Sequence, residues 1–331
     1  MHLRESGRIL LRKLYFQLHW LLGDGTRLLN RIRQNRWLVS LNLHRVSTDA
    51  NPFYPPLEPK LFEELVAFLS EHFEITTYGG MPAQKNAKTP IVLSFDDGYH
   101  DFLEYAVPVL EKFGVPANQN VVCQSLVSGK PIWNVLLYDF LHQAPAALLD
   151  ELRIAGWKGS FTGGAGQRAR SGMELSRLLK NLPRRERALQ WQEIERAMQR
   201  CDSLRFTRVL SAAEVVELSR KHSIGAHSFD HDSMGLENED FFARDVLRCR
   251  EYFRDQMNLP LETYAFPNGS YRPEQVQHLL SSGFKNVLLV DEQFGEMGAS
   301  VQPRLTFYGD SIPELRLRSL GYFAKGARCE S

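Results

Sequence analysis

The sequence predicts an α/β fold with a largely parallel sheet, open or closed into a barrel. Two observations predict it: short apolar runs alternate with segments of helical periodicity from residue 37 onward, and residues able to do chemistry repeatedly stand just after the apolar runs. Ligand sites in such folds collect at the carboxyl ends of the strands, so the second pattern is expected if the first is real.

Trp37 to His44 is a short apolar run with partial alternation and reads as a strand. Residues 59–73 place Leu61, Phe62, Leu65, Val66, Phe68 and Leu69 at helical spacing. Pro90 opens Ile91-Val92-Leu93-Ser94-Phe95, a buried strand that ends at Asp96-Asp97-Gly98. A helix from Asp101 to Phe113 follows and is closed by Gly114, with Pro116 just beyond. Residues 130–200 read as a mostly helical insertion, with a glycine-rich loop at Gly159–Gly166 and a charged run at Pro183–Arg187. Alternation then resumes: helix over Ala212–His222, strand over Ser223–Ala226, helix over Asp240–Met257, strand over Thr263–Phe266, helix over Glu274–Ser281 and strand over Asn286–Val290.

The 331 residues carry 40 Lys and Arg against 39 Asp and Glu, and the net charge of +1 lacks the basic surplus of a nucleic-acid-binding protein. The cysteines, Cys123, Cys201, Cys249 and Cys329, are scattered without a C-x-x-C pair and read as free thiols in a reducing compartment. Ahead of the first strand, Arg4, Arg8, Arg12 and Lys13 precede an apolar run to Leu22 that Gln17 and His19 interrupt. The run is too short to span a bilayer, and no signal-peptide cleavage site follows. It reads as an amphipathic helix, packed on the domain or lying on a membrane surface. Residues 1–35 are therefore a basic amphipathic N-terminal segment, and the location expected is cytoplasmic, with peripheral contact at the inner membrane.

Two adjacent carboxylates at a strand end raise one another's cost of ionising, which a cation relieves; an ordinary Asp-Gly turn is the plain alternative. His227-Ser228-Phe229-Asp230-His231 sets two imidazoles four residues apart, on one face if the segment begins a helix. Two histidines and one carboxylate make a three-ligand zinc site with an open position. Phe266-Pro267-Asn268-Gly269 is a third strand running into a turn, whose amides suit an oxyanion.

Together these residues resemble the polysaccharide deacetylase family, the NodB-homology or carbohydrate esterase family 4 domain. Ser94–Gly98 resembles its first motif, His227–His231 its second, Phe266–Gly269 its third-motif turn, and Leu41–Val46 the text that begins many members. The resemblance spans roughly residues 38 to 305 and implies a deformed (β/α) barrel with a divalent metal, commonly zinc. It divides the chain into the N-terminal segment, a catalytic domain over 36–310 with the insertion at about 130–200, and a C-terminal tail over 311–331. Carried over by motif, Asp97, His227 and His231 are the metal ligands, Asp96 is the base, and the backbone N–H of Asn268 meets the oxyanion. The late L-x-H motif that usually supplies the acid is absent after residue 278; His44 matches the position used by a permuted branch. The usual third-motif arginine is also absent, and Arg304 is its candidate replacement, with an ordinary surface salt bridge as the alternative. Asn118-Gln119-Asn120 stands where relatives carry an apolar strand. The activity implied is removal of an N-acetyl group from an amino sugar of a bacterial glycan or its lipid-linked precursor. A deformylase of a lipid-linked formamido sugar and a catalytically inactive glycan-binding module are the alternatives.

Overall fold

Strand β1 (Trp37–Leu43) is buried along nearly its whole length, as a strand covered on both faces must be. The structure is a computed structural model and describes residues 2–49, 51–81 and 88–325; Cys329 and the end of the 311–331 segment lie outside it, as does the side chain of Arg4. After β1 come β2 (Glu74–Thr76), β3 (Pro90–Phe95), β4 (Asn118–Val121), β5 (Ser223–Ala226), β6 (Thr263–Ala265), β7 (Asn286–Leu288), β8 (Gly295–Glu296), β9 (Val301–Gln302) and β10 (Leu305–Thr306). Among the described residues they form one sheet in the order β10-β1-β3-β4-β5-β6-β7-β9, with β2 beside β3 and β8 against β1. Every pairing is parallel except β1 with β8. The two ends of this order, β9 and β10, are consecutive in the chain and joined only through Pro303-Arg304. That is a sheet curled into a nearly closed barrel, the deformed (β/α) barrel expected, with Arg304 at its seam.

The helices are α1 (His2–Leu21), α2 (Asp24–Asn35), α3 (Pro59–His72), α4 (Val107–Phe113), α5 (Cys123–Ser128), α6 (Trp133–Gln143), α7 (Ala146–Asp150), α8 (Ala165–Lys180), α9 (Arg184–Met198), α10 (Ala212–Leu218), α11 (Glu239–Tyr252), α12 (Pro273–Ser281) and α13 (Ile312–Ser319). Wider turns at Phe102–Ala106 and Phe253–Met257 lead into α4 and out of α11. The main apolar core lies between the sheet and its helices, with Phe62, Phe95, Phe102 and Phe242 fully buried, and a small separate cluster of Leu38, Tyr78, Val92, Ala265 and Leu288 lies on the sheet's other face. A second core lies under the insertion, where α6 to α9 close over Phe140, Phe161, Leu175 and Ile194. The insertion thus has its own hydrophobic reason to fold, and Phe53, Tyr99 and Val122 from outside it join this second core.

Three elements differ from the expectation. The helix after Ser211 stops at Leu218, short of His222. Ser219 turns its hydroxyl back to the Val216 carbonyl, and the His222 imidazole accepts the Ala117 N–H instead of facing solvent. The histidine segment 227–231 does not begin a helix: Ser228 and His231 have φ of 60° and 58°, and the Ser228 hydroxyl accepts the His231 N–H at 2.8 Å. Residues 312–319, within the stretch read as a tail, form α13, whose Leu315 and Leu317 are fully buried and whose face meets α1 and α3.

Candidate active site

At the end of β3 the Asp96 N–H donates to the Leu43 carbonyl, continuing the β1–β3 ladder by one residue. The chain then turns through two left-handed residues, Asp97 at φ 76° and Gly98 at φ 74°. Gly98 is needed twice there, for its φ and because a Cβ would stand 3.3 Å from Val121 Cγ1. Asp97 tolerates the strained φ as small polar residues can, and the turn aims its carboxylate and that of Asp96 into one cavity.

That cavity measures about 480 Å³ and is lined by Asp96, Asp97, His227, His231, His44 and Asn268, among others. The structure therefore brings together all the motif residues except Arg304, which stands behind Asp96. One donor atom from each of Asp97, His227 and His231 lies within 4.8 Å of the others, and all three residues are buried. Nε2 of His227 and of His231 stand 3.5 and 3.4 Å from Asp97 Oδ1. His227 Nδ1 is 2.9 Å from the Ala265 carbonyl, so Nδ1 must donate, and its bare Nε2 lone pair faces the triad. Burial holds both imidazoles below their ordinary pKa, in the neutral form a metal requires. Asp97 Oδ1 is buried without a hydrogen-bond partner, while Oδ2 accepts from the Tyr99 hydroxyl at 2.9 Å. Burial pushes the Asp97 carboxyl above its ordinary value, with the charge of Asp96 adding to the rise. An orphaned carboxylate oxygen facing the Nε2 atoms of two neutral imidazoles fits a borderline divalent cation such as Zn²⁺.

Asp96 has a different environment. Burial opposes its ionisation, yet the Arg304 guanidinium overrides it and holds the carboxyl far below the ordinary carboxylate range. Arg304 is itself fully buried and grips Asp96 as a fork, Nη1 to Oδ1 and Nη2 to Oδ2, both at 2.8 Å. Its Nη1 also reaches Ser94 Oγ at 3.1 Å and its Nε the Leu289 carbonyl at 3.2 Å. The surface salt bridge considered as the alternative is thus excluded. Oδ1 of Asp96 takes a further bond from Asn120 Nδ2 at 2.7 Å. Oδ2 keeps an open acceptor position on the side of the triad, 3.8 Å from His227 Nε2.

His44 follows β1 and stands on the wall shared with Tyr54, ring centroids 6.0 Å apart. Burial lowers its pKa, against the raising influence of the Asp97 and Asp96 charges. Asn268, at φ 57°, lines the cavity and donates its side-chain amide to Ser233 Oγ at 3.1 Å.

Sequence reasoning missed three contributors. Asn120 was read only as a departure from an apolar strand, although a polar residue inside a buried strand was itself the signal of a buried partner. Tyr99 follows the Asp-Asp-Gly turn and carried no separate mark. Lys180, at the end of α8, enters the cavity from the insertion, and burial lowers its pKa while the Asp97 charge raises it. Nothing in the local sequence joins it to residues 96–97.

Residues 206–287 match the family model for polysaccharide deacetylase. The matched stretch holds the histidine loop and the Phe266–Gly269 turn; Asp96 and Asp97 lie ahead of it, across the insertion. No curated protein sequence matches the chain. Among solved structures it is similar to the Streptococcus pyogenes deacetylase PplD in complex with acetate, at 15% identity and a TM-score of 0.56 over 86% of this chain and 98% of that one. IcaB from Ammonifex degensii gives 17% identity and a TM-score of 0.52 over 86% and 97%. A de-N-acetylase from Aggregatibacter actinomycetemcomitans gives 13% and 0.52 over 85% and 99%. Identities this low show a shared fold.

The resemblance to the polysaccharide deacetylase family, read first from the motifs, is thus borne out by a sequence match and a common barrel.

Proposed function

We propose that the chain is a metal-dependent hydrolase that removes the N-acetyl group of an amino sugar in a glycan or a lipid-linked glycan precursor. The observation that carries this reading is the asymmetry of the two adjacent aspartates. Asp97 has an unsatisfied buried oxygen facing two histidines, while Asp96 is saturated on one oxygen and open on the other. One carboxylate is built to hold a cation and its neighbour to handle a proton.

Asp97, His227 and His231 would hold the ion, with zinc the metal that two imidazoles and one carboxylate suit best. When bound, the ion supplies the positive charge that acidifies water and polarises the acetamide carbonyl. Asp96 Oδ2 takes the proton of the attacking water, and the Arg304 fork fixes the direction of its free lone pair. The backbone N–H of Asn268 donates to the oxygen on which negative charge develops. His44 delivers a proton to the nitrogen as the C–N bond breaks, so that an amine and acetate leave.

The test is metal analysis combined with acetate release from N-acetylated amino sugars, on wild type, His231→Ala, Asp96→Asn and His44→Ala. His231→Ala is expected to lose the metal. Asp96→Asn should keep it and lose turnover by at least about a hundredfold. Full metal content in His231→Ala would overturn the ligand set, and unchanged turnover in His44→Ala would remove it as the acid.

A further inference from the structure

The inner face of α1 is fixed to the fold and its outer face meets nothing described. Arg12 bonds Glu314, Phe16 is buried, and Trp20 lies edge-on to Phe68 at 5.8 Å. At about 3.6 residues per turn, Leu10, Leu14, Leu18 and Leu21 fall on the opposite side. They are 59, 55, 55 and 71% exposed, and Leu11 widens the stripe. A surface helix of a soluble protein shows polar residues there, so a continuous apolar stripe marks a surface that something covers.

Charge indicates what covers it. Residues 1–36 hold eight Lys and Arg against two acidic residues, although the whole chain is nearly neutral. A second copy of the chain packed on the same stripe would oppose like charges. An anionic bilayer surface satisfies both the leucines and the cations. No described helix is long and apolar enough to cross a membrane, so the contact would be interfacial.

A groove on the inner side of α1 adjoins the chemistry. It encloses about 480 Å³ and is lined by Pro56, Phe307 and Tyr308 together with Arg12 of α1, Arg45 and Asp310. His44, Tyr54 and Thr306 line both it and the cavity of the metal triad. The groove therefore adjoins the reacting centre through these shared residues and reaches α1 at Arg12.

We infer that α1 lies in the interface of an anionic bilayer and that the groove receives the apolar chain of an amino sugar held in that membrane. The bilayer contact stands on its own; the identity of the groove's occupant rests on the function proposed above.

The intact protein is sedimented with phosphatidylethanolamine–phosphatidylglycerol vesicles and with phosphatidylcholine vesicles. Binding is expected to the anionic vesicles, to weaken with salt, and to fall at least about tenfold in Leu14→Glu/Leu18→Glu. The circular dichroism of that variant should be unchanged. No vesicle binding, or a dimer that the double variant abolishes, overturns the bilayer contact. For the groove, calorimetry compares decyl N-acetylglucosaminide, its methyl homologue and decyl maltoside, all below micelle-forming concentrations. Both decyl compounds should bind at least about tenfold more tightly than the methyl one, with Pro56→Arg removing the difference. Equal affinity of decyl and methyl glycosides overturns the groove. Equal affinity of the two decyl compounds leaves the groove standing and counts against the acetamido-sugar reading alone.

Discussion

Asp96 and Arg304 form a buried ion pair with a geometry that only one guanidinium satisfies. A buried carboxylate deprived of its partner costs about 3–5 kcal/mol, and a lysine cannot reproduce two parallel bonds. Arg304→Lys is therefore expected to keep the metal, to lower the melting temperature and to reduce kcat at least about tenfold with KM little changed. Metal analysis, thermal denaturation and steady-state kinetics check it. The carboxylates and histidines themselves were legible in the sequence because their order and strand-end placement are local facts. Arg304 was legible only as a residue able to fill a missing role, since its partner lies 208 positions away. Asn120 stood out in the sequence only as a polar residue in a strand, because the Asp96 carboxylate its amide serves lies across the β3–β4 pairing.

At the scale of elements, the histidine loop is held by α11 rather than by its own helical tendency. Asp245 on α11 accepts the Phe229 N–H at 3.0 Å and the Tyr264 hydroxyl at 3.2 Å. Burial pushes the Asp245 carboxyl up to about 7. The folded protein thus keeps a proton here that the unfolded chain has already released, so this group's contribution to stability falls as pH rises from about 4 to about 7. Asp245→Asn should flatten that part of the stability profile in a urea-denaturation series across pH. An unchanged slope would show that the proton is bound elsewhere. The spacing of His227 and His231 suggested a helix because four residues make one helical turn. A tight loop closed by Ser228 achieves the same convergence with rings 5.0 Å apart, and spacing alone does not distinguish the two. The strands and most helices were legible, since apolar periodicity and caps are properties of short windows. The early end of α10 was not, because Ala117, which takes His222, belongs to a distant strand connection.

For the molecule as a whole, the insertion packs a second core that takes in Phe53, Tyr99 and Val122 of the barrel, and the two parts meet around the cavity. Composition revealed the insertion as a different segment but not that Lys180 at the end of α8 would approach Asp97, because that proximity exists only after both cores have formed. A nearby ammonium repels a second cation. Lys180→Met should therefore tighten divalent metal binding by roughly a few-fold, measured by competition with a chelator, and a weaker affinity would refute the argument.

The seam between β9 and β10 fixes when the site can exist. Synthesis proceeds from the amino end, and β1, with its pairing surface for β10, emerges more than 250 residues before Leu305 can occupy it. Until residue 304 has left the ribosome, the Asp96 carboxylate has no counter-charge and the β1 edge is unpaired toward β10. Long-range parallel pairings of this kind form slowly and late. The charge that readies Asp96 and the β10–β1 pairing are thus delivered by the same short stretch of chain, so a truncated product would fail in both folding and chemistry at once.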